Sequence, residues 1–364
     1  MHKDKIYCGF RYLFNRLFEK NYLYFRNMIL VTGGTGLVGA HLLLQLIESK
    51  SIGSEKVRAI YRKEDAIQKT KALFGLYKKS SLLAQIEWIH ADITDIPSLE
   101  LAFLGITTVY HCAALISFDP KEEAQLRKIN IEGTANIVNF SIAYGVQKLC
   151  YVSSIATLGD PLPHENFITE TTEWNPENYH SDYAISKYGA EMEVWRGQQE
   201  GLSVIIINPG VILGPVLPFK DWENGSGQLL TKVKRGLPFY TLGSSGFIAV
   251  TDVVQIAQRL TESDITNERF TLIANNITFK EVLDTMAESL NTSKPRWHAT
   301  PFIMKIIWRL DWISATIFGQ KRRISRASAM ASYNSNLYSN QKIKNALTIE
   351  FTDIKAYIKH ISQL

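Results

Sequence analysis

Thr32-Gly33-Gly34-Thr35-Gly36-Leu37-Val38-Gly39 lies between an apolar run at 28–32 and an amphipathic stretch at 37–49, so it reads as a turn from a buried strand into a helix. Its three spaced glycines have separate tasks. Gly33 permits the tight turn, Gly36 lets backbone approach a pyrophosphate, and Gly39 lets helix pack closely on strand. The unpaired N–H groups at the start of the helix then face an anion, with Thr35, Leu37 and Val38 beside it. Strand, turn and helix in this order predict a dinucleotide-binding site.

Outward from that turn, strand-length runs rich in Val, Ile and Tyr recur at 57–61, 86–90, 108–111, 149–153 and 204–208. Helix-length segments at 64–78, 98–103, 122–144 and 182–199 fall between them. Such alternation predicts an α/β chain: a doubly wound parallel sheet (Rossmann fold) with helices on both faces and its ligand crevice at the carboxyl ends of the strands. After Pro209 the pattern changes. Residues 215–246 hold many Gly, Pro and Ser, a strand is expected at 247–250, and helices are expected from 252 and at 279–290, 302–317 and 353–361. The expected organisation is an extension at 1–27, a nucleotide-binding domain at 28–214 to which later segments return, and a smaller, mainly helical substrate lobe at 215–364.

The chain has 364 residues and a formal charge of +5. Six basic residues against Asp4 and Glu19 place four of those charges in residues 1–27, leaving the body at +1. That balance carries no nucleic-acid footprint. Cys8, Cys112 and Cys150 are an odd number without metal-like spacing, and the last two sit in apolar runs. Buried free thiols, no metal site and a reducing, cytoplasmic location are expected. No run of eighteen uncharged apolar residues exists, so no spanning helix is expected. Residues 1–27 are too often interrupted by charge for a secretory signal. They are either an extra helix lying on a surface or a leader ahead of a start at Met28.

Tyr183-Ala184-Ile185-Ser186-Lys187 places a phenol and an ammonium one helical turn apart on one face. A tyrosine titrates near ~10, and a neighbouring cation favours its charged form, which suits it to exchange a proton at neutral pH. The second strand ends in Tyr61-Arg62-Lys63 and lacks the acidic residue that would hold a ribose 2′-hydroxyl. Arg62 offers a guanidinium to a 2′-phosphate, so NADP is expected, with Glu64 and Asp65 leaving NAD open.

Together with the glycine turn, the Ala91-Asp92 pair, His111-Cys112-Ala113-Ala114, Asn130, Tyr151-Val152-Ser153-Ser154 and Asn208-Pro209-Gly210, these residues resemble the extended short-chain dehydrogenase/reductase family over about 28–260. Among its members the chain is most similar to the branch of dihydroflavonol reductases and 3β-hydroxysteroid dehydrogenases. The resemblance implies that Asp92 and Ile93 lie along the adenine, that Ala113 and Ala114 flank the cofactor, and that Pro209, Gly210 and Val211 contact the nicotinamide side. It implies catalytic roles for Ser154, Tyr183 and Lys187: Ser154 donates to the substrate oxygen, Tyr183 exchanges the proton, and Lys187 also binds the nicotinamide ribose. Asn130 would hold a water linking Lys187 to solvent, or else make a structural hydrogen bond. Ser153 competes with Ser154, and the family frame selects the second serine. Homodimers through the helix carrying Tyr183 are common among such enzymes.

Sugar-nucleotide dehydratases of this family place an Asp-Glu pair after the catalytic Ser or Thr, where this chain has Ile155-Ala156. No side chain there can supply the acid and base of a dehydration. The expectation is an NADP-dependent oxidoreductase acting on a ketone or secondary alcohol of a mainly apolar small molecule. A sugar-nucleotide epimerase and a non-catalytic dinucleotide-binding protein are the alternatives. The apolar stretch 302–317, followed by Lys321, Arg322, Arg323 and Arg326, is core, a lid over an apolar substrate, or a helix in peripheral contact with a membrane.

Overall fold

All five residues of β1 (Met28–Thr32) are buried, as an apolar strand must be when helices cover both faces of its sheet. The computed structural model describes residues 28–49, 56–161, 165–217, 227–318, 329 and 332–364; the extension at 1–27, with Cys8, and the basic run at 321–326 lie outside them. From β1 the chain runs through α1 (Leu37–Glu48), β2 (Lys56–Tyr61), α2 (Ile67–Leu76), β3 (Ile86–His90), α3 (Ile96–Ala102) and β4 (Ile106–His111). It continues through α4 (Glu123–Leu126), a π-helical turn (Arg127–Glu132), α5 (Gly133–Ala143), β5 (Lys148–Val152), α6 (Asp182–Gln199) and β6 (Val204–Pro209). The helix expected at 122–144 is thus interrupted by the π turn, which contains Asn130.

The second part is more mixed than expected. It comprises β7 (Val211–Leu213), α7 (Gly227–Lys234), β8 (Phe239–Tyr240), β9 (Ser244–Ala249), α8 (Val250–Glu262), β10 (Glu268–Leu272), β11 (Asn275–Thr278), α9 (Phe279–Ser289), β12 (Trp297–His298), α10 (Pro301–Phe318), α11 (Gln341–Ala346) and α12 (Ile354–Ile361). β7, β9 and β11 form a three-stranded sheet, and β8 pairs with β12. β7, β8 and β12 have only two or three residues and β11 is NNIT, so period-two hydrophobicity does not reveal them, whereas β9 overlaps the strand expected at 247–250.

The main sheet has seven parallel strands among the described residues, in the order β10-β6-β5-β4-β1-β2-β3. The order reverses between β1 and β4, the place where open α/β sheets take their ligands at the carboxyl ends of the strands. Alternate residues of β1 feed two cores: Ile29 and Val31 meet Leu42, Val57 and Val253, whereas Met28 and Leu30 meet Ile137, Val138 and Val194. Cys150 is a buried free thiol, pushed up to about 12 by burial, and Cys112 is a half-buried one.

The seventh strand, β10, follows β6 in register from Ile205↔Glu268 to Pro209↔Leu272. Glu268 and Arg269 mask it in the sequence. Arg269 owes its place to Glu191 of α6, whose wholly buried carboxylate lies 3.0 Å from the guanidinium. Arg269 Nε also donates to the Glu170 carbonyl at 2.8 Å, and Glu170 accepts from Thr271 N at 2.6 Å.

Removing one partner of a buried ion pair strands the other charge at a cost of about 3–5 kcal/mol. Arg269→Met is therefore expected to lower the urea midpoint by that free energy, and adding Glu191→Gln should recover part of it. An unchanged midpoint for Arg269→Met would show that the pair does not secure β10.

Candidate active site

Gly33 has a φ of +69°, and a Cβ there would lie 2.7 Å from the Ala113 nitrogen. At Gly39 a Cβ would sit 2.2 Å from the Gly33 carbonyl oxygen, so neither position admits a side chain. Gly36 differs, since its nearest obstacle would be the same oxygen at 3.4 Å. α1 starts beside this open side with no side-chain cap and no acid in its first turn. Its first N–H groups and the positive end of its dipole are left for an anion, and the residues present fit a pyrophosphate. Thr70 supports the turn by donating to the Gly34 carbonyl at 2.8 Å. Thr35, Leu37 and Val38 are half-buried around it.

At the tips of β2 and β3, the exposed Arg62 guanidinium lies 4.0 Å from Asp92. The other oxygen of Asp92 accepts from Thr94 N and Thr94 Oγ1, both at 2.8 Å. Ile93 turns its side chain into the core against Gly133, and its carbonyl accepts from Asn136 at 2.9 Å.

At the switch point a buried relay ties β1 to β4. The Thr32 hydroxyl is 2.7 Å from His111 Nδ1, and His111 Nε2 is 3.0 Å from Thr134 Oγ1. Burial lowers the His111 pKa to about 3, which keeps the imidazole neutral. The Ala113 N–H donates to Thr32 Oγ1 at 3.1 Å, placing Ala113 and the exposed Ala114 on the rim facing the glycine turn.

The α6 face carries Tyr183, Lys187 and Glu191 at successive turns. Ser181 caps the helix by accepting from Ala184 N at 3.1 Å. Lys187 is buried and donates to Tyr151 Oη at 2.6 Å and to the Val152 carbonyl at 2.9 Å, rather than to Tyr183. Burial lowers the Lys187 pKa to about 7, opposed chiefly by Glu191. The Tyr183 phenol is raised by burial, and a hydrogen bond from Ser154 pulls it back. Phe118 flanks the phenol at a centroid distance of 5.7 Å.

The neighbouring serines have different fates. Ser153 donates to Glu191 at 2.6 Å, where Thr157 Oγ1 and Asn208 Nδ2 also converge at 2.8 and 2.9 Å. Ser154 accepts from Ala156 N at 3.1 Å and pairs with Tyr183. Asn130 spends its amide on Leu115 N, Leu115 O and Ser186 Oγ at 2.7, 3.0 and 2.9 Å, so its side chain fastens the loop after β4 to α6. Pro209 ends β6 in the interior, Gly210 N donates to the Leu272 carbonyl at 3.1 Å, and a Cβ on Gly210 would come within 2.3 Å of the Gly246 oxygen. Val211 then opens β7. Glu191 is a member of this site that sequence reasoning did not single out, and Tyr151, quoted only within its motif, was given no role. The continued spacing Tyr183, Lys187, Glu191 was a signal for the first; Tyr151 had none beyond its place in β5.

The chain matches the family model of the NAD dependent epimerase/dehydratase family over residues 29–272. Sterol demethylase protein B of Methylococcus capsulatus is 27% identical over 281 residues, covering 76% of this chain and 78% of that protein. Cinnamoyl-CoA reductase 1 of Oryza sativa is 25% identical over 283 residues, with 76% and 78% covered. The crystal structure of UDP-glucose 4-epimerase with UDP-glucose from Thermotoga maritima superposes with a TM-score of 0.70 at 20% identity, over 92% of this chain and 97% of that one, a likeness of fold. With its glycine turn and its Ser-Tyr-Lys set at the carboxyl edge of a parallel sheet, the chain belongs to the NAD-dependent epimerase/dehydratase family, the extended short-chain dehydrogenase/reductases, and is an NAD(P)-dependent enzyme.

Proposed function

We propose that the protein is an NADP-dependent oxidoreductase that interconverts a ketone and a secondary alcohol on a mainly apolar small molecule. The observation that carries this reading is the pairing of the Ser154 and Tyr183 hydroxyls at the carboxyl edge of the sheet, one helical turn from the buried Lys187. The bound nicotinamide supplies or accepts the hydride. Ser154 donates a hydrogen bond to the substrate oxygen, stabilising charge that builds there. Tyr183 gives its proton to that oxygen, or takes it back in the oxidative direction. Lys187, held by Tyr151 and Val152, brings a positive charge beneath the site and favours the phenolate.

The glycine turn and the start of α1 hold the pyrophosphate, and Arg62 presents its guanidinium to the 2′-phosphate, the feature that favours NADP. The half-exposed Ile116 and Phe118 support an apolar substrate, the latter beside Tyr183. Ile155 packs against an apolar cluster containing Leu158, Ile168 and Ile273, so the place of a dehydratase's acid pair offers no titratable group.

Tyr183→Phe is expected to lower kcat by about 10²–10⁴ while leaving the Kd for NADPH within about twofold, because the proton donor alone is lost. Full residual turnover would overturn the mechanism. Arg62→Ser should raise the KM for NADPH by about tenfold or more and leave that for NADH unchanged, since a charge-assisted hydrogen bond contributes about 1.5–3 kcal/mol. An unaltered NADPH value would withdraw the NADP assignment. A panel of apolar ketones, aldehydes and sugar nucleotides, followed by loss of NADPH fluorescence, is expected to give turnover on the ketones. Conversion of a sugar nucleotide without added NADPH would replace this reading with epimerisation.

A further inference from the structure

Helix α10 turns an apolar face to solvent. Phe302, Ile306, Leu310, Ile313 and Ile317 recur at spacings of four, four, three and four residues, so at 100° per residue they fall within an arc of about 80°. All five are exposed, Phe302 at 72%, Leu310 at 59% and Ile317 at 68%. Lys305, Arg309 and Trp312, also exposed, border this stripe on one side. Met304, Ile307, Trp308, Asp311 and Ser314 lie on the other face and are half-buried. Among the described residues, none of the buried apolar clusters takes a side chain from α10. Of the three readings of this stretch, core is the one not met among the described residues: the stretch is helical, and its exposed apolar stripe joins none of those clusters.

We propose that this face docks on an anionic lipid surface, with α10 lying in the plane of the interface. Charge identifies the occupant. The two bases bordering the stripe are exposed, Arg309 lying over the Trp308 ring at 4.7 Å and donating to the Lys305 carbonyl at 2.9 Å, while the helix's one acid, Asp311, lies on the far side, and the sequence leaving the helix carries Lys321, Arg322, Arg323 and Arg326. Basic side chains beside an apolar stripe can extend to headgroup phosphates while their stems lie along the acyl boundary, and tryptophan prefers the same depth. The helix, about 27 Å long, is not apolar enough to cross a bilayer. Dimer partners tend instead to exclude charge from the centre of a contact, whereas Arg309 stands immediately beside Phe302 and Ile313 on this face.

The test is cosedimentation of the full chain with phosphatidylserine/phosphatidylcholine vesicles at low and high salt. Binding at low salt that weakens with salt is expected. Ile306→Glu with Ile313→Glu should reduce partition at least tenfold, and Lys305→Ala with Arg309→Ala should reduce it severalfold. These residues are exposed, so the variants are expected to keep the parent melting temperature, which is measured in parallel. Absence of binding at low salt, or binding unchanged in the Ile306/Ile313 variant, overturns the proposal. So does a dimer in sedimentation equilibrium that the same variant dissolves, because it would assign the face to a second copy. None of these readouts depends on turnover.

Discussion

One buried charge organises the centre of this molecule. Glu191 has no exposed surface, and a carboxylate so placed is tolerable only when its oxygens are saturated by donors. Four groups from separate parts of the chain meet that demand: Ser153 and Thr157 from the segment after β5, Asn208 from β6, and Arg269 from β10. Satisfying one charge therefore fixes the edge strand against the sheet. It also fixes both ends of the short turn that contains Ser154. Asn208 adds a bond to the Ser154 carbonyl at 3.2 Å, so the backbone bearing the candidate hydroxyl is held on two sides.

The same helix face sets up a second balance, between burial and charge. Desolvation alone pushes the Tyr183 phenol up and the Lys187 ammonium down, both toward neutrality. Glu191, one turn beyond Lys187, opposes the second of these effects. Tyr151 gives the ammonium an oxygen acceptor at 2.6 Å and a ring face at 4.3 Å from the centroid. The cation is thus held beneath the site by a phenol that burial discourages from giving up its proton, since burial raises Tyr151 well above its ordinary value. Among these aromatic hydroxyls, Tyr183 is the one paired with Ser154.

The nucleotide half of the fold was legible because its signals are local. Strands β1, β2, β4, β5 and β6 are largely buried runs whose residues need no distant partner to look apolar, the edge strand β3 is only partly buried, and the glycine turn is dictated by contacts over a few residues plus one strand neighbour. The remainder depends on contacts distant in sequence. β10 looks too charged for a strand until Arg269 is seen to meet Glu191, 78 residues earlier. β7 and β11 reveal themselves by their pairing and not by composition, and only the apolar half of β9 shows in the sequence. The π turn at Arg127–Glu132 hides inside an ordinary amphipathic pattern, since one displaced hydrogen bond leaves the helical period almost unchanged. Helix α10 shows the reverse difficulty: periodicity identifies an apolar face but cannot say whether anything covers it.

Ser153 and Ser154 show how far neighbouring, identical residues can diverge. Successive side chains at the end of a strand point to opposite sides, so the two hydroxyls must face different surroundings, and alternation alone does not say which meets substrate. Glu191 decides it. Its carboxylate takes the Ser153 hydroxyl at 2.6 Å, an alignment that would have to be broken, leaving a buried charge short of a donor, before Ser153 could serve a ligand. Ser154 makes only a local bond, accepting from Ala156 N to start the short Ile155–Thr157 turn, and its proton is free to point at Tyr183. The turn in the next three residues gives Ile155 to an apolar cluster and Thr157 to Glu191. Side chains that could perform acid-base work at those positions would have to displace packing or a saturated carboxylate. In the proposed mechanism, the architecture that positions Ser154 thereby leaves it as the one hydroxyl of this segment not committed to Glu191.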